Sequence, residues 1–218
     1  MRENAPSLAV RLQQCYTGAV FDVLRARGHR KCVLPYTIRP INPEWRCAGP
    51  AFTVCGHPQE VDDHQSVLEW TGLLSRAPAG YVVVCQPHDH TLAHMGELST
   101  EALHLKGVRG YIVDGGCRDS DFILRLGFPV FCRYLTPDDI MGRWLPDALG
   151  AEIEIGGVTI RTGDYVVADR DGIVVIPQEM AEEVTAEAEQ VMNTESLVRK
   201  AIRQGVDPQE AYLKYGKF

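Results

Sequence analysis

The sequence predicts an α/β protein in which a mixed β-sheet is flanked by helices. Three short apolar runs, at residues 80–85, 110–114 and 128–132, are bounded by glycine or proline and have the composition of buried strands. Segments with helical patterns lie between these runs, and the connections are short. Alternation of strand and helix with short connections is typical of a parallel or mixed sheet covered by helices.

Before the first of these strands, the sequence predicts two helices with an irregular passage and a short strand between them. Residues 7 to about 27 carry apolar side chains at roughly helical spacing, and Arg27 and Gly28 supply a stop signal, which predicts one helix. Prolines at 35, 40 and 43 then indicate an extended, irregular passage into a short strand over 51–55. A second helix is predicted from about Val61 to Leu74.

The later elements follow from the same patterns. Helices are predicted from His94 to Gly107 and over 119–126, and a hairpin over 152–160 that turns on Gly156 and Gly157. Strands follow at 165–168 and 173–177, and a long charged helix runs from 178 to about 204. The many Glu residues of that helix are more simply a solvated face than a site.

Length and composition indicate one ordered globular domain. The 218 residues are 45% hydrophobic and 23% charged, close to the average of soluble domains. We therefore expect a single domain over residues 1–218, with a helical tail over about 178–218.

Charge and cysteine usage exclude several classes of function. The formal net charge of −7 gives no general attraction to a phosphate backbone or an anionic bilayer, so neither nucleic acid nor a membrane is an expected partner. No segment approaches the roughly 18 to 20 apolar residues of a membrane span, and we expect a cytoplasmic protein. The seven cysteines contain no CxxC pair and fit neither a disulfide framework nor a zinc ribbon.

The first candidate site is the segment Gly96, Glu97, Leu98 and Ser99, at the start of a predicted helix. Glycine lets the backbone approach a ligand closely, and the unpaired amides of a first helical turn can hold a carboxylate. An ordinary capped helix start is the alternative interpretation, and for this segment alone it is the commoner one.

The second candidate is the segment from Asp114 to Asp119, which directly follows a predicted strand. The paired glycines 115 and 116 permit a tight turn that would aim Arg118 and Asp119 beyond the sheet edge. Arg118 can bind a carboxylate through two parallel hydrogen bonds, and Asp119 offers the hard oxygen that Mg²⁺ or Mn²⁺ prefers. The alternative is an aspartate cap on the next helix beside a surface arginine, because two adjacent charges make a weak motif.

Four segments together resemble the RraA-like family, which includes the 4-hydroxy-4-methyl-2-oxoglutarate aldolases. They are His94 to Ser99, Gly107 to Asp119, Gly163 to Asp169 and Asp171 to Pro177, and the order of motifs agrees from about Ala19 onward. The resemblance implies a swivelling β/β/α fold and a class II pyruvate aldolase. It also implies a homotrimer or a dimer of trimers with sites between subunits, acting on a small 2-oxo acid.

The resemblance assigns roles to individual residues. Arg118 matches the family's substrate-binding arginine, and Asp119 matches its metal-binding aspartate. Gly96, Glu97 and Leu98 match the loop whose amides hold the pyruvyl carboxylate. Characterised aldolases often carry aspartate at the position of Glu97, so this chain departs by one methylene. The carboxylate is kept but its reach is altered, which bears on substrate choice and on the positioning of water.

The implied chemistry requires stabilisation of an enolate. A divalent cation on Asp119 would contribute several kcal/mol as a Lewis acid, whereas a helix N-terminus contributes only about 0.3 to 1 kcal/mol. The cation must therefore dominate, with Arg118 and the Gly96–Ser99 amides orienting the acid. A water on the cation or Glu97 is the candidate base, and oxaloacetate decarboxylation is expected as a companion activity because it yields the same enolate.

Two rival interpretations remain from the sequence. The same family includes proteins that bind and inhibit ribonuclease E without catalysis, and those proteins can share the Arg-Asp pair. The intact carboxylate at Glu97 favours an enzyme. The histidines at 88, 90 and 94 match no common zinc pattern, although His90 or His94 could line the substrate mouth.

Overall fold

The computed structural model describes residues 7–217. Its centre is a mixed, curled sheet of eight strands in the order β1-β6-β4-β3-β2-β11-β12, with β8 paired to the far end of β2. These strands are β1 (Arg39–Pro40), β2 (Cys47–Pro58), β3 (Val82–Gln86), β4 (Gly110–Val113), β6 (Val130–Cys132), β8 (Trp144–Leu149), β11 (Tyr165–Ala168) and β12 (Ile173–Ile176). Strands β2, β3, β4 and β6 are parallel, whereas β1, β8, β11 and β12 pair antiparallel to their neighbours.

Two smaller pairs of strands and seven α-helices complete the described fold. The pairs are β5 (Gly116–Cys117) with β7 (Tyr134–Leu135), and β9 (Ile153–Ile155) with β10 (Val158–Ile160). The helices are α1 (Leu8–Gln14), α2 (Thr17–Ala26), α3 (Asp63–Arg76), α4 (Glu97–Leu105), α5 (Ser120–Leu126), α6 (Ala181–Arg203) and α7 (Pro208–Tyr215). A 3-10 turn, Gln178–Met180, leads into α6.

The buried side chains form three apolar clusters. One face of the sheet packs on α3, α4 and α5 through side chains such as Leu73, Leu103 and Ile123. The other face packs on the β9–β10 hairpin, and a third cluster joins α1, α2 and α6 to β12. The central strands are buried on both faces, which explains their continuous apolar runs.

The predicted α/β class and mixed sheet are confirmed, and most elements lie within a few residues of their predicted bounds. The hairpin turns on Gly156 and Gly157 as predicted, and both have positive φ, which is typical of tight two-residue hairpins. No helix of residues 7–217 is long and apolar enough to cross a membrane.

The single helix predicted from residue 7 to about 27 is wrong. Cys15 and Tyr16 are extended, and a new helix begins at Thr17. The carboxylate of Asp169 accepts hydrogen bonds from the backbone amide of Thr17 at 2.9 Å and from its hydroxyl at 2.8 Å. A distant residue therefore fixes the start of α2, and no local pattern reveals such a cap.

The Glu residues of α6 are not merely a solvated face. Arg11 of α1 pairs with Glu182 and Glu189, and Arg27, just after α2, pairs with Glu183 and Glu187. These pairs are partly exposed, so each contributes little to stability on its own. They nonetheless align α6 across the two N-terminal helices.

Candidate active site

Three loops meet at the edge of the sheet where the parallel strands β3, β4 and β6 end. Ala93, in the loop after β3, pairs with Gly116 on one side and with Asp139 on the other. The amide of Arg118 donates to the carbonyl of Met95 at 2.9 Å. The carboxyl ends of neighbouring parallel strands are the usual place for a binding site in an open α/β sheet.

Arg118 lies half-exposed in the loop after β4, between two carboxylates. Its Nη1 donates to Oδ2 of Asp139 at 2.8 Å. Its Nε is 3.6 Å from Oδ2 of Asp119, a distance that brings opposite charges together without a hydrogen bond. The guanidinium is thus held in place from one side.

Asp119 immediately precedes α5 with φ 55° and ψ 34°, in the left-handed region. Its side chain makes no capping hydrogen bond to α5. Instead its Oδ2 accepts a hydrogen bond from the amide of Glu97 at 3.1 Å, at the start of α4. The alternative of a helix cap beside a surface arginine is therefore not what the structure shows for Asp119.

Gly96 brings the two candidate segments together. A Cβ atom at this position would stand 2.7 Å from Oδ2 of Asp119 and 3.2 Å from Cγ of Arg118. Glycine was expected here because it lets a ligand approach the backbone. The groups that approach it are two side chains of the same chain, and only glycine leaves room for both.

The first turn of α4 is partly used by the protein itself. The amide of Glu97 is bound to Asp119, and the Oγ of Ser99 accepts a hydrogen bond from Nε1 of Trp70 at 2.8 Å. The expected cradle of amides over Gly96 to Ser99 is therefore reduced, because one amide already has a carboxylate partner. Leu98 and Ser99, in the same first turn, also line the cavity.

These residues line a cavity of about 490 Å³. Gly96, Glu97, Arg118, Asp119 and Asp139 form its polar end. The rest of the lining is largely apolar and comes mainly from α3, α4 and the loop after β7. Its side chains are Val67, Trp70, Leu74, Ala102, Ile140 and Met141. A small anion bound at the polar end would have an apolar surface over its other side.

The paired glycines 115 and 116 do not serve the tight turn that was expected. Neither has a positive φ. A Cβ at Gly116 would stand 2.6 Å from the carbonyl oxygen of Leu92, and one at Gly115 would stand 2.8 Å from Nδ1 of His94. Their role is close packing of the loop after β4 against the loop after β3.

His94 is one of the residues around the cavity, but its side chain is fully buried and offers no exposed surface there. Burial lowers the pKa of His94 to about 4. His90 is exposed and lies 3.7 Å from Asp114. Within residues 7–217, no group of three or more His, Cys, Asp or Glu side chains could hold a metal ion. Cys117 is buried, which raises the pKa of its thiol well above the usual range and fits a packed side chain.

Two residues of the site were missed from the sequence. Asp139 lies in the loop after β7, a few residues beyond the parallel strand β6, so the rule that nominated Arg118 could also have pointed to this region. Trp70 lies within a predicted helix, where nothing in the spacing marked it as a cavity wall. Its hydrogen bond to Ser99 connects α3 to α4.

The donors at Asp119 fit a hard divalent cation. Oδ2 receives the Glu97 amide, which leaves Oδ1 as the oxygen for a cation. Mg²⁺ in proteins commonly takes one or two carboxylates and keeps several waters. Because the described residues provide no larger cluster of ligands, water and substrate would supply the rest of the coordination.

Comparison with known protein families finds a match to one family. The family model described as Aldolase/RraA, of the RraA-like family, matches residues 17–175. A protein of Halalkalibacterium halodurans named "Putative 4-hydroxy-4-methyl-2-oxoglutarate aldolase" is 30% identical over 181 residues, which cover 83% of each chain.

Two solved structures share the fold closely. An uncharacterised protein from Pseudomonas syringae pv. tomato has a TM-score of 0.84 and 29% identity, over 95% of this chain and 97% of its own. Streptomyces coelicolor RraAS2, described as an unusual member of the RNase ES inhibitor RraA family, has a TM-score of 0.78 and 27% identity. That match covers 90% of this chain and 98% of RraAS2.

Proposed function

This chain belongs to the RraA-like family, and from that premise we propose that it is a divalent-metal-dependent class II pyruvate aldolase. Its substrate would be 4-hydroxy-4-methyl-2-oxoglutarate or a related 4-hydroxy-2-oxo diacid, with oxaloacetate decarboxylation as a second activity. The observation that carries the proposal is the position of Arg118, Asp119 and Glu97. The three line one cavity at the carboxyl ends of adjacent parallel strands.

Substrate binding is the task of Arg118 and the start of α4. The guanidinium has five N–H donors, of which one is bound to Asp139, so others can donate to the carboxylate of a 2-oxo acid. Leu98 and Ser99 line the same cavity in the first turn of α4, where their amides would supply further donors. Fixed donors lower the barrier because they are oriented before the charge develops.

Asp119 would hold Mg²⁺ or Mn²⁺, which when bound supplies Lewis-acid stabilisation of several kcal/mol to developing negative charge. Its carboxylate is already oriented by the Glu97 amide and by the left-handed backbone. The chain therefore places this oxygen without help from a ligand.

Glu97 is the chain's own candidate for the base. In the cleavage direction it would take the proton of the 4-hydroxyl group as the bond between C3 and C4 breaks. The electron pair of that bond passes to the pyruvate enolate, and C4 becomes a carbonyl carbon. The apolar wall, which includes Trp70 and Met141, together with a neighbouring subunit over the open side, would exclude water that would protonate C3 of the enolate before the second product leaves.

The direct test is pyruvate release by the purified protein from 4-hydroxy-4-methyl-2-oxoglutarate and from oxaloacetate. Activity should require Mg²⁺ or Mn²⁺ and should be abolished by EDTA. Asp119→Asn should remove it, whereas Asp121→Asn, on the exposed first turn of α5, should leave it unchanged. An Asp119→Asn variant with full activity would exclude the assigned ligand.

A second candidate function is inhibition of a ribonuclease by direct binding, without catalysis. It is favoured by the similarity to RraAS2, whose family is described by RNase ES inhibition. The discriminating measurement is ribonuclease inhibition by metal-free protein. Inhibition combined with no pyruvate release from either substrate would make this the better account.

The proposed partners are copies of the same chain and a small 2-oxo acid. We expect a homotrimer or a dimer of trimers, in which neighbouring subunits complete the open side of the cavity. The net charge of −7 argues against nucleic acid as a direct ligand, because a phosphate backbone attracts clustered Lys and Arg.

A further inference from the structure

Arg118 has unequal contacts with its two carboxylate neighbours. Nη1 is hydrogen-bonded to Asp139 at 2.8 Å, whereas Nε and Oδ2 of Asp119 are 3.6 Å apart. A guanidinium binds a carboxylate best through two parallel hydrogen bonds. Asp119 is the next residue along the chain and a natural partner for such a pair, yet the pair is not formed.

Asp139 is held in place independently of Arg118. Its Oδ1 accepts a hydrogen bond from the amide of Met141 at 3.1 Å. Its backbone pairs with Ala93, whose amide donates to the carbonyl of Asp138 at 2.7 Å. The carboxylate of Asp139 therefore offers a fixed anchor on the side of Arg118 away from Asp119.

We infer that Asp139 is a positioning residue, which holds the guanidinium of Arg118 off the carboxylate of Asp119. This inference rests on the proposed function, because that function gives a purpose to the separation between Arg118 and Asp119. Asp119 stays open to a cation, and the unbound edge of Arg118 stays open to the substrate carboxylate. Without Asp139, Arg118 closes on Asp119 and its positive charge competes with the cation for that carboxylate.

The first test is structural and needs no metal. Crystal structures of the metal-free wild type and of Asp139→Ala should differ at Arg118. In the variant a guanidinium nitrogen should come within hydrogen-bond distance of Asp119, about 3 Å. A guanidinium that keeps its wild-type distance from Asp119 would overturn the inference.

Two further variants serve as a substitute and a control for this test. Asp139→Ser retains a short oxygen that can accept from the Met141 amide but cannot reach Arg118, so it replaces the alanine variant if that one does not fold. Asp121→Ala removes an exposed carboxylate on the first turn of α5 and should leave Arg118 where it is.

The second test measures Mn²⁺ affinity by electron paramagnetic resonance. Asp139→Ala should bind Mn²⁺ roughly 10- to 100-fold more weakly than wild type, as expected when a residue that orients a metal site is lost. Asp139→Asn keeps an oxygen that can accept from Nη1, so it should bind closer to wild type. If the asparagine and alanine variants lose Mn²⁺ affinity equally, the charge of Asp139 matters and its hold on the position of Arg118 does not. Wild-type protein that binds no Mn²⁺ would refute the metal site of the proposed function, and the crystal structures would still decide the role of Asp139.

Discussion

The left-handed backbone of Asp119 shows that the candidate site is built at some cost to local stability. A residue other than glycine in a sparsely populated backbone region costs about 1 to 3 kcal/mol, although aspartate tolerates this region better than most. Such strain is common at functional sites. Here it turns the carboxylate toward the start of α4 instead of toward its own helix.

Gly96→Ala should disturb this arrangement without harming the fold. Gly96 has a φ of −153°, which any residue can adopt, so the added methyl acts only through its contacts with Asp119 and Arg118. We expect kcat/KM for pyruvate release to fall roughly 100-fold, as for a displacement of about 1 Å in a catalytic group. Glu101→Ala, an exposed change on the same helix, is the control. Full activity of Gly96→Ala would mean that the contact is not important.

His94 is the buried titratable group beneath the cavity. Both of its ring nitrogens lack a hydrogen-bond partner within residues 7–217, and its ring stacks edge-on against Trp144. The nearest carboxylate, Asp89, is 3.6 Å away, too far for a hydrogen bond. Burial therefore prevails over this attraction, and the pKa of His94 is lowered to about 4.

The lowered pKa predicts a loss of stability in mild acid. Between pH 6.5 and about 4 the unfolded chain binds a proton at His94 that the folded chain does not, so the free energy of unfolding falls as the pH falls. The loss from this residue between pH 7.5 and 5 should be about 2 kcal/mol. Urea unfolding followed by tryptophan fluorescence measures it. His94→Phe keeps an aromatic ring against Trp144 and should lose this part of the pH dependence. If the free energy of unfolding of the variant keeps the same dependence on pH, His94 is not the source of that dependence.

At the scale of elements, Asp169 explains one of the motifs that carried the family resemblance. It lies directly after β11, where its carboxylate receives the amide and hydroxyl of Thr17 and the amide of Asp171. One side chain thus caps α2 and closes the turn between β11 and β12. The resemblance of this segment to the family therefore has a structural cause, separate from the candidate site.

Asp169→Ala should therefore destabilise the fold strongly. It leaves buried donors at Thr17 without a partner and removes hydrogen bonds to a charged acceptor, and we expect a loss of roughly 3 kcal/mol. Asp171→Ala, two residues later and exposed, is the matched control and should lie close to wild type. Chemical denaturation of both variants gives the comparison, and equal stabilities would argue against the cap.

Elements with a strong local signal were predicted well, and those set by distant contacts were not. Strands β3 and β4 are continuous apolar runs, and the Gly156–Gly157 turn follows from local backbone chemistry. Strand β8 contains Pro146 and pairs with β2 through an irregular register, so its sequence gave no clear strand pattern. Helix α7 lies within the helical tail predicted over about 178–218, but its start as a separate helix was not predicted, although Asp207 and Pro208 are a recognisable cap and first residue.

The sequence nominated several residues of the candidate site but did not predict the contacts between them. The sequence placed Arg118 and Asp119 after a strand and the Gly96–Ser99 segment at the start of a helix, and the structure brings them around one cavity. It gave no sign that Asp119 would accept the Glu97 amide or that Asp139 would bind Arg118. Those contacts join residues 21 or 22 positions apart and depend on how the loops pack.

At the scale of the whole molecule, the cavity opens onto an apolar rim. Leu98 is 77% exposed, Met141 43% and Val67 41%, and all three line the cavity. Apolar side chains grouped in this way are typical of surfaces that another protein covers. The proposed homo-oligomer would cover them and would also close the cavity to water, so assembly and catalysis would depend on the same surface.

Val67→Glu should therefore break the proposed assembly. A carboxylate introduced into an apolar interface is left without a partner, which is costly enough to prevent association. Light scattering should give a mass of three or six times 24.2 kDa for wild type and 24.2 kDa for the variant. Leu213→Glu makes the same change on α7, where the side chain is 76% exposed and does not line the cavity. If Leu213→Glu dissociates the oligomer and Val67→Glu does not, subunits meet elsewhere. A monomeric Val67→Glu that also loses pyruvate release, with Asp119 and Arg118 intact, would show that the cavity needs a neighbouring subunit.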